Sequence, residues 1–211
     1  MVRAGVMRFA WLLSGLLYAS SALPAQQRES IPAQTGPAQL DESGQIAVDG
    51  RAVAYRIRRL PVSSFPDLPA ALEVELNRRG CLIPQTYEAH APENVVHASL
   101  ERPGSSDWAV LCSSQGTVSL LVFFASAPAQ LLTLATAPES ERLQTHDRSG
   151  VLGFNWGIDP VSPERVREAQ AGLDARPPRL DHDALADSIV DRRTVYHFYS
   201  KNAWTLLAMP E

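Results

Sequence analysis

The sequence predicts an α+β fold, a mainly antiparallel sheet of about eight strands with two short helices and one disulfide. Three observations carry this expectation. Apolar and polar residues alternate on both sides of Asp49-Gly50, a dipeptide favoured in two-residue hairpin turns. Residues 94–101, 107–113 and 117–124 are strand-like runs separated by Pro103-Gly104-Ser105-Ser106 and Ser114-Gln115-Gly116. Phe65, Leu68, Leu72 and Leu76 fall on one helical stripe that ends in Gly80-Cys81.

In chain order, residues 45–59 form the first hairpin. Residues 67–79 form the first helix, with Asp67 as its cap, Arg78 and Arg79 at its negative end and Gly80 as its stop. Trp108-Ala109-Val110-Leu111 and the run 118–124 are almost continuously apolar, which fits strands covered on both faces. Residues 131–134 add a further strand, 137–149 are charged and turn-rich and read as an exposed loop, and 153–157 read as a short strand. Ser162-Pro163-Glu164 opens a second helix over 163–171, with a capping serine and proline at its first position. A hairpin closes the chain, 194–199 and 203–208 around Ser200-Lys201-Asn202.

Composition bounds the function classes. The 211 residues are 45% apolar and 20% charged, which excludes wholesale disorder. Residues 1–25 have the parts of a secretory signal, with Arg3 and Arg8 before an apolar run over 9–22 and small residues up to Ala25. That run is shorter than the ~20 apolar residues a membrane-spanning helix needs, so no span is expected after cleavage. The net charge of −4 becomes −6 once Arg3 and Arg8 leave, which argues against nucleic acid as a partner. Residues 26–43 are rich in Gln, Pro and Ser and read as a disordered tether, removable up to Ser43 without loss of the fold. Residues 44–211 then form a single domain. Of the 19 basic residues only Lys201 is lysine, as arginine-rich coding in a GC-rich bacterium would give, and the expected location is periplasmic or extracellular.

Export gives the cysteines their meaning. In an oxidising compartment Cys81 and Cys112 pair. The bond closes a loop of about 32 residues, for which chain entropy gives roughly 3.7 kcal/mol.

Catalytic signatures are sparse. GxxxxGK[ST], HExxH and GxSxG are absent, and Gly150, Gly153 and Gly157 do not make GxGxxG. The candidate polar site is Asp181-His182-Asp183. If the segment is helical, Asp183, Asp187 and Asp191 share a face that suits a hard cation, and His182 is a base oriented by an aspartate. The competing reading is a solvated turn leading into a helix or strand, with Asp as a cap, in which His182→Ala or Asp183→Asn shifts stability by less than ~0.5 kcal/mol. Asp107, at the head of a buried strand, is the second candidate. Trp108, Phe154, Trp156, Tyr196, Tyr199 and Trp204 read as core and cross-strand pairs rather than a cleft. His90, His97, His146, His182 and His197 lack metal-ligand spacing, and no metal or cofactor is expected.

The run 94–124 resembles one blade of the FG-GAP β-propellers in its order of strands and turns. Residues 100–106 lack the repeated acids of their calcium loop and there is no second blade, so neither calcium nor a propeller follows. Over residues 65–209, Gly80-Cys81-Leu82-Ile83-Pro84-Gln85, Asp107-Trp108-Ala109-Val110-Leu111-Cys112-Ser113 and the terminal Tyr199…Ala203-Trp204 order are similar to uncharacterised exported bacterial proteins. That resemblance implies one disulfide-tied domain and no particular activity. The expected function is an exported, non-catalytic binding or envelope-associated domain, its partner an envelope protein or a small ligand. The alternative is a small hydrolase using His182 with Asp181 or Asp183.

Overall fold

The computed structural model describes residues 40–127, 130–174 and 179–210. The expected signal, 1–25, and most of the tether lie outside them. The fold is α+β but mostly β, with two sheets in place of the one expected. The first half of the chain contributes β1 (Leu40–Val48), β2 (Arg51–Pro61), α1 (Ala70–Arg78), β3 (Leu82–Gln85), β4 (Val95–Ala98), β5 (Asp107–Ser114) and β6 (Thr117–Phe123). Then come β7 (Leu131–Pro138), β8 (Leu143–Thr145), β9 (Leu152–Phe154), β10 (Trp156–Val161), α2 (Pro163–Ala169), β11 (Ala184–Ile189), β12 (Arg193–Ser200) and β13 (Ala203–Leu206). β1 to β9 form a nine-stranded sheet, β10 to β13 a four-stranded antiparallel one. The large sheet is mixed, because β2 and β9 run parallel at Tyr55↔Leu152 and Arg56↔Gly153.

Side-chain alternation in β5 and β6 explains the layering. Ala109, Leu111, Val118, Leu120 and Val122 point into one core, which also holds Trp156, Ile158 and Leu185 of the small sheet. Val110, Cys112, Leu121 and Phe123 point the other way, onto Leu68, Leu72 and Leu76 of the α1 segment. A third cluster places Val166 of α2 against Ala184 and Phe198, on the outer face of the small sheet. The order is helix, sheet, sheet, helix, and both central strands are covered on both sides. At nine residues α1 is marginal alone. Its stability comes from burying leucines, each worth about 1.5–3 kcal/mol.

The Cys81–Cys112 disulfide forms, with Cα atoms 5.0 Å apart, and fastens the end of α1 to the middle of β5. Gly80, at φ +69, stops the helix as expected. Asp67 does not cap it; Pro69 holds the N-cap position without a side-chain bond. In α2 the expected cap is present, Ser162 Oγ accepting from the Arg165 amide at 3.4 Å. Asp49 and Gly50 both take left-handed φ at the first turn, as Lys201 and Asn202 do at the last. Residues 153–157 are two strands rather than one: Phe154 ends β9 in the large sheet and Trp156 opens β10 in the small one, so the chain changes sheets at Asn155.

Two corrections concern polar residues. Residues 137–149 are not a simple exposed loop. β7 runs to Pro138, and Glu139 in the one-turn helix that follows is buried at 6% exposure. Its carboxylate accepts from Arg59 Nε at 3.1 Å, Arg59 Nη2 at 2.5 Å and Ser113 Oγ at 2.8 Å. Burial opposes the charge of Arg59, but its bonds to Glu139 and Glu42 outweigh that and hold its pKa above the ordinary value.

The second correction is the tether boundary: β1 begins at Leu40 and pairs with β2 from Leu40↔Arg59 to Val48↔Arg51. Glu42 accepts from Tyr55 Oη at 2.8 Å and from Arg59 Nη1 at 2.8 Å. The Tyr55 ring lies over its cross-strand partner Gly44, so close that a Cβ there would sit 2.8 Å from the hydroxyl. A chain starting at Ser43 is therefore expected to lose about 1–3 kcal/mol relative to one starting at Gly36, since it loses the Glu42 bonds and the first ladder bonds. The bonds from Tyr55 and then Arg59 hold the Glu42 carboxyl below the usual carboxylate range. A depressed acid stabilises the fold above its unfolded pKa of ~4.3 and loses that contribution as pH falls through the folded value. Melting curves between pH 6 and pH 3 should thus fall more steeply for the wild type than for Glu42→Gln; parallel curves would contradict this.

Candidate functional site

Asp107 is fully buried, and its place is structural. Oδ2 accepts from the amides of Leu100 at 2.9 Å and Glu101 at 2.8 Å and from the Ser105 hydroxyl, while Oδ1 accepts from the Ala125 amide at 2.8 Å. One carboxylate thus closes the turn before β5 and fixes the chain where it leaves β6.

The Asp181-His182-Asp183 segment is a bend rather than a helix, with Asp181 exposed but His182 buried. It leads into β11, so Asp183, Asp187 and Asp191 do not share a helical face. His182 is buried at 8% exposure and stacked on Phe198, ring centroids 4.4 Å apart. Its Nε2 lies 2.9 Å from the Tyr199 carbonyl and therefore donates; its Nδ1 is 2.7 Å from Asp181 Oδ1. Asp183 pairs with the Ser99 backbone in both directions, at 3.0 and 3.1 Å. Both ring nitrogens of His182 thus face oxygen atoms of the fold itself.

Asp187 turns inward instead. Its carboxylate accepts from Trp156 Nε1 at 2.7 Å and lies 3.2 Å from His197 Nε2, and the Arg142 guanidinium sits 4.1 Å over the Trp156 ring. Burial lowers the pKa of Arg142. This seam joins the one-turn helix before β8 to the small sheet. Among the described residues no three His, Cys, Asp or Glu side chains converge as metal ligands, and no helix is long and apolar enough to cross a membrane. Phe124, Tyr199 and Trp204 pack on one another, Tyr199 4.6 Å and Trp204 5.9 Å from Phe124.

An open cleft of about 500 Å³ lies elsewhere, on the large sheet's face away from the small sheet. β2 lays Arg56 and Arg58 two residues apart on one side of it, and the segments after β3 and β8 supply Thr86, Tyr87, His146 and Ser149. Tyr87 and His146 stack with centroids 4.6 Å apart and planes 11° from parallel. They rest on Gly153, where a Cβ would come 2.7 Å from Tyr87 Cβ and 3.0 Å from His146 Cδ2, so only glycine admits the pair.

The walls are held from behind. Tyr87 Oη donates to Asp191 at 2.9 Å and accepts from Gln144 at 3.2 Å. Burial, then the bond to Asp191, pushes its phenol up to about 12. Asp147 Oδ1 accepts from the Ser149 hydroxyl at 2.5 Å and amide at 2.8 Å, which folds the β8–β9 turn and lowers the pKa of Asp147. Arg58 donates to the Ala89 carbonyl at 2.7 Å and Arg56 to Asp41 at 2.6 Å. The cleft falls within the ~300–1,000 Å³ typical of small-molecule sites and is preformed. The sequence singles out none of its polar side chains as a ligand contact, because they come from three segments brought together by the β2–β9 pairing and by the bond from the Tyr87 amide to the Phe154 carbonyl.

No family, no curated protein and no solved structure matches this chain.

Proposed function

We propose that the chain is an exported bacterial domain that binds an envelope component or small ligand and is not a catalyst. The observation that carries this reading is the occupation of the catalytic candidates. Asp107 is saturated by backbone amides and both nitrogens of His182 are engaged within the fold. Export is supported by the signal pattern at residues 1–25 and by the Cys81–Cys112 bond, which persists in oxidising compartments. The preformed cleft between β2 and the segments after β3 and β8 supplies a place to bind.

A hydrolase using His182 with Asp181 or Asp183 predicts the opposite behaviour. Wild type and His182→Ala are to be compared on chromogenic esters, glycosides and peptides, alongside urea unfolding. The expected result is no turnover that depends on His182, with a stability loss of about 1–2 kcal/mol from two hydrogen bonds and a ring contact. Turnover by the wild type that vanishes in a folded His182→Ala protein would overturn the binding reading.

A further inference from the structure

We propose that the Tyr87–His146 cleft takes a ring-bearing carboxylate, the chemistry of an acidic sugar. The inference rests on the binding reading above and adds a site and a ligand class to it.

The basic side chains of the cleft keep unspent hydrogen-bond donors. A guanidinium carries five N–H donors. Arg56 gives one nitrogen to Asp41 and Arg58 one to the Ala89 carbonyl, which leaves both forks with donors to spare. Among the described residues, His146 Nε2 has no hydrogen-bond partner, and Nδ1 faces Asp147 only at 4.0 Å. Asp147 turns its Oδ1 to its own loop through Ser149, and Oδ2 is the oxygen 4.0 Å from His146 Nδ1. A group rich in acceptor oxygens matches this, and a carboxylate matches the planar fork of an arginine best. The stacked pair adds what an inorganic anion would not use, an aromatic surface beside the donors. An aromatic surface takes the apolar face of a ring while polar groups at its edge fix orientation. The volume of about 500 Å³ admits a ring with its substituents.

Isothermal titration with glucuronate, glucose and inorganic phosphate tests this on the wild type, Arg56→Gln and His146→Ala. Arg56 is exposed at 65%, so its replacement leaves the fold intact. The expected result is binding of glucuronate about ten-fold tighter than glucose, as a charge-assisted bond gives. Each substitution should weaken it about five-fold or more. Equal affinity for glucose would remove the acid from the proposal, and equal affinity for phosphate would remove the ring. Glucuronate binding unchanged in both variants would place the ligand elsewhere, and absence of glucuronate binding would refute the ligand class. None of these outcomes touches the non-catalytic reading, which fails only on His182-dependent turnover.

Discussion

Replacing Arg59 with alanine is expected to destabilise the domain by about 3–5 kcal/mol, because it strands the Glu139 carboxylate in the interior with Ser113 as its only side-chain partner among the described residues. The side chains of Arg59 and Glu139 are each 8% exposed, so water cannot replace the missing charge without opening the sheet. The pair also ties distant parts of the chain together, β2 to the turn after β7, with Glu42 of β1 on the same guanidinium. In a double-mutant cycle of Arg59→Ala and Glu139→Ala under urea, the double variant should lose clearly less than the two single losses combined. Additive losses would mean that the two groups do not depend on one another.

Asp107→Asn carries the second-largest expected effect, about 1.5–3 kcal/mol. The carboxylate accepts on both oxygens, from three backbone amides and a hydroxyl. An asparagine amide must turn its NH2 either toward Leu100, Glu101 and Ser105 or toward Ala125, and either choice sets donor against donor. Added calcium should leave the melting temperature of both proteins unchanged. A calcium-dependent rise in the wild type that Asp107→Asn abolishes would make the residue a cation ligand instead.

Much of the fold was legible from local rules. Asp49-Gly50 marked a hairpin, the leucine stripe a helix, Gly80 its stop, and the apolar runs of β5 and β6 strands covered on both faces. What the sequence hid depends on long-range partners. β3 (Leu82–Gln85) is short and carries a proline, so it shows no alternation; it is a strand only because β2 and β5 flank it. The charged stretch around Glu139 and Arg142 resembles a solvated loop until Arg59 and Trp156, both far away in sequence, supply a counter-charge and an aromatic face. The polar candidates show a related limit: acids and a histidine close together in sequence signal chemistry or hydrogen-bonding structure equally well, and their distant partners, Ser99 and Tyr199 among them, are not visible there. Tyr87 and His146 had no local signal, since their stack exists only where Gly153 lets two loops close on β9.

Chemical-shift mapping of the isotope-labelled domain titrated with glucuronate tests most directly a binding domain whose seat is this cleft. Perturbations confined to Arg56, Arg58, Thr86, Tyr87, His146 and Ser149, with the Asp181–His182–Asp183 segment silent, are the predicted result. Perturbations centred on His182 and Asp183, or on Asp187 and His197, would contradict it.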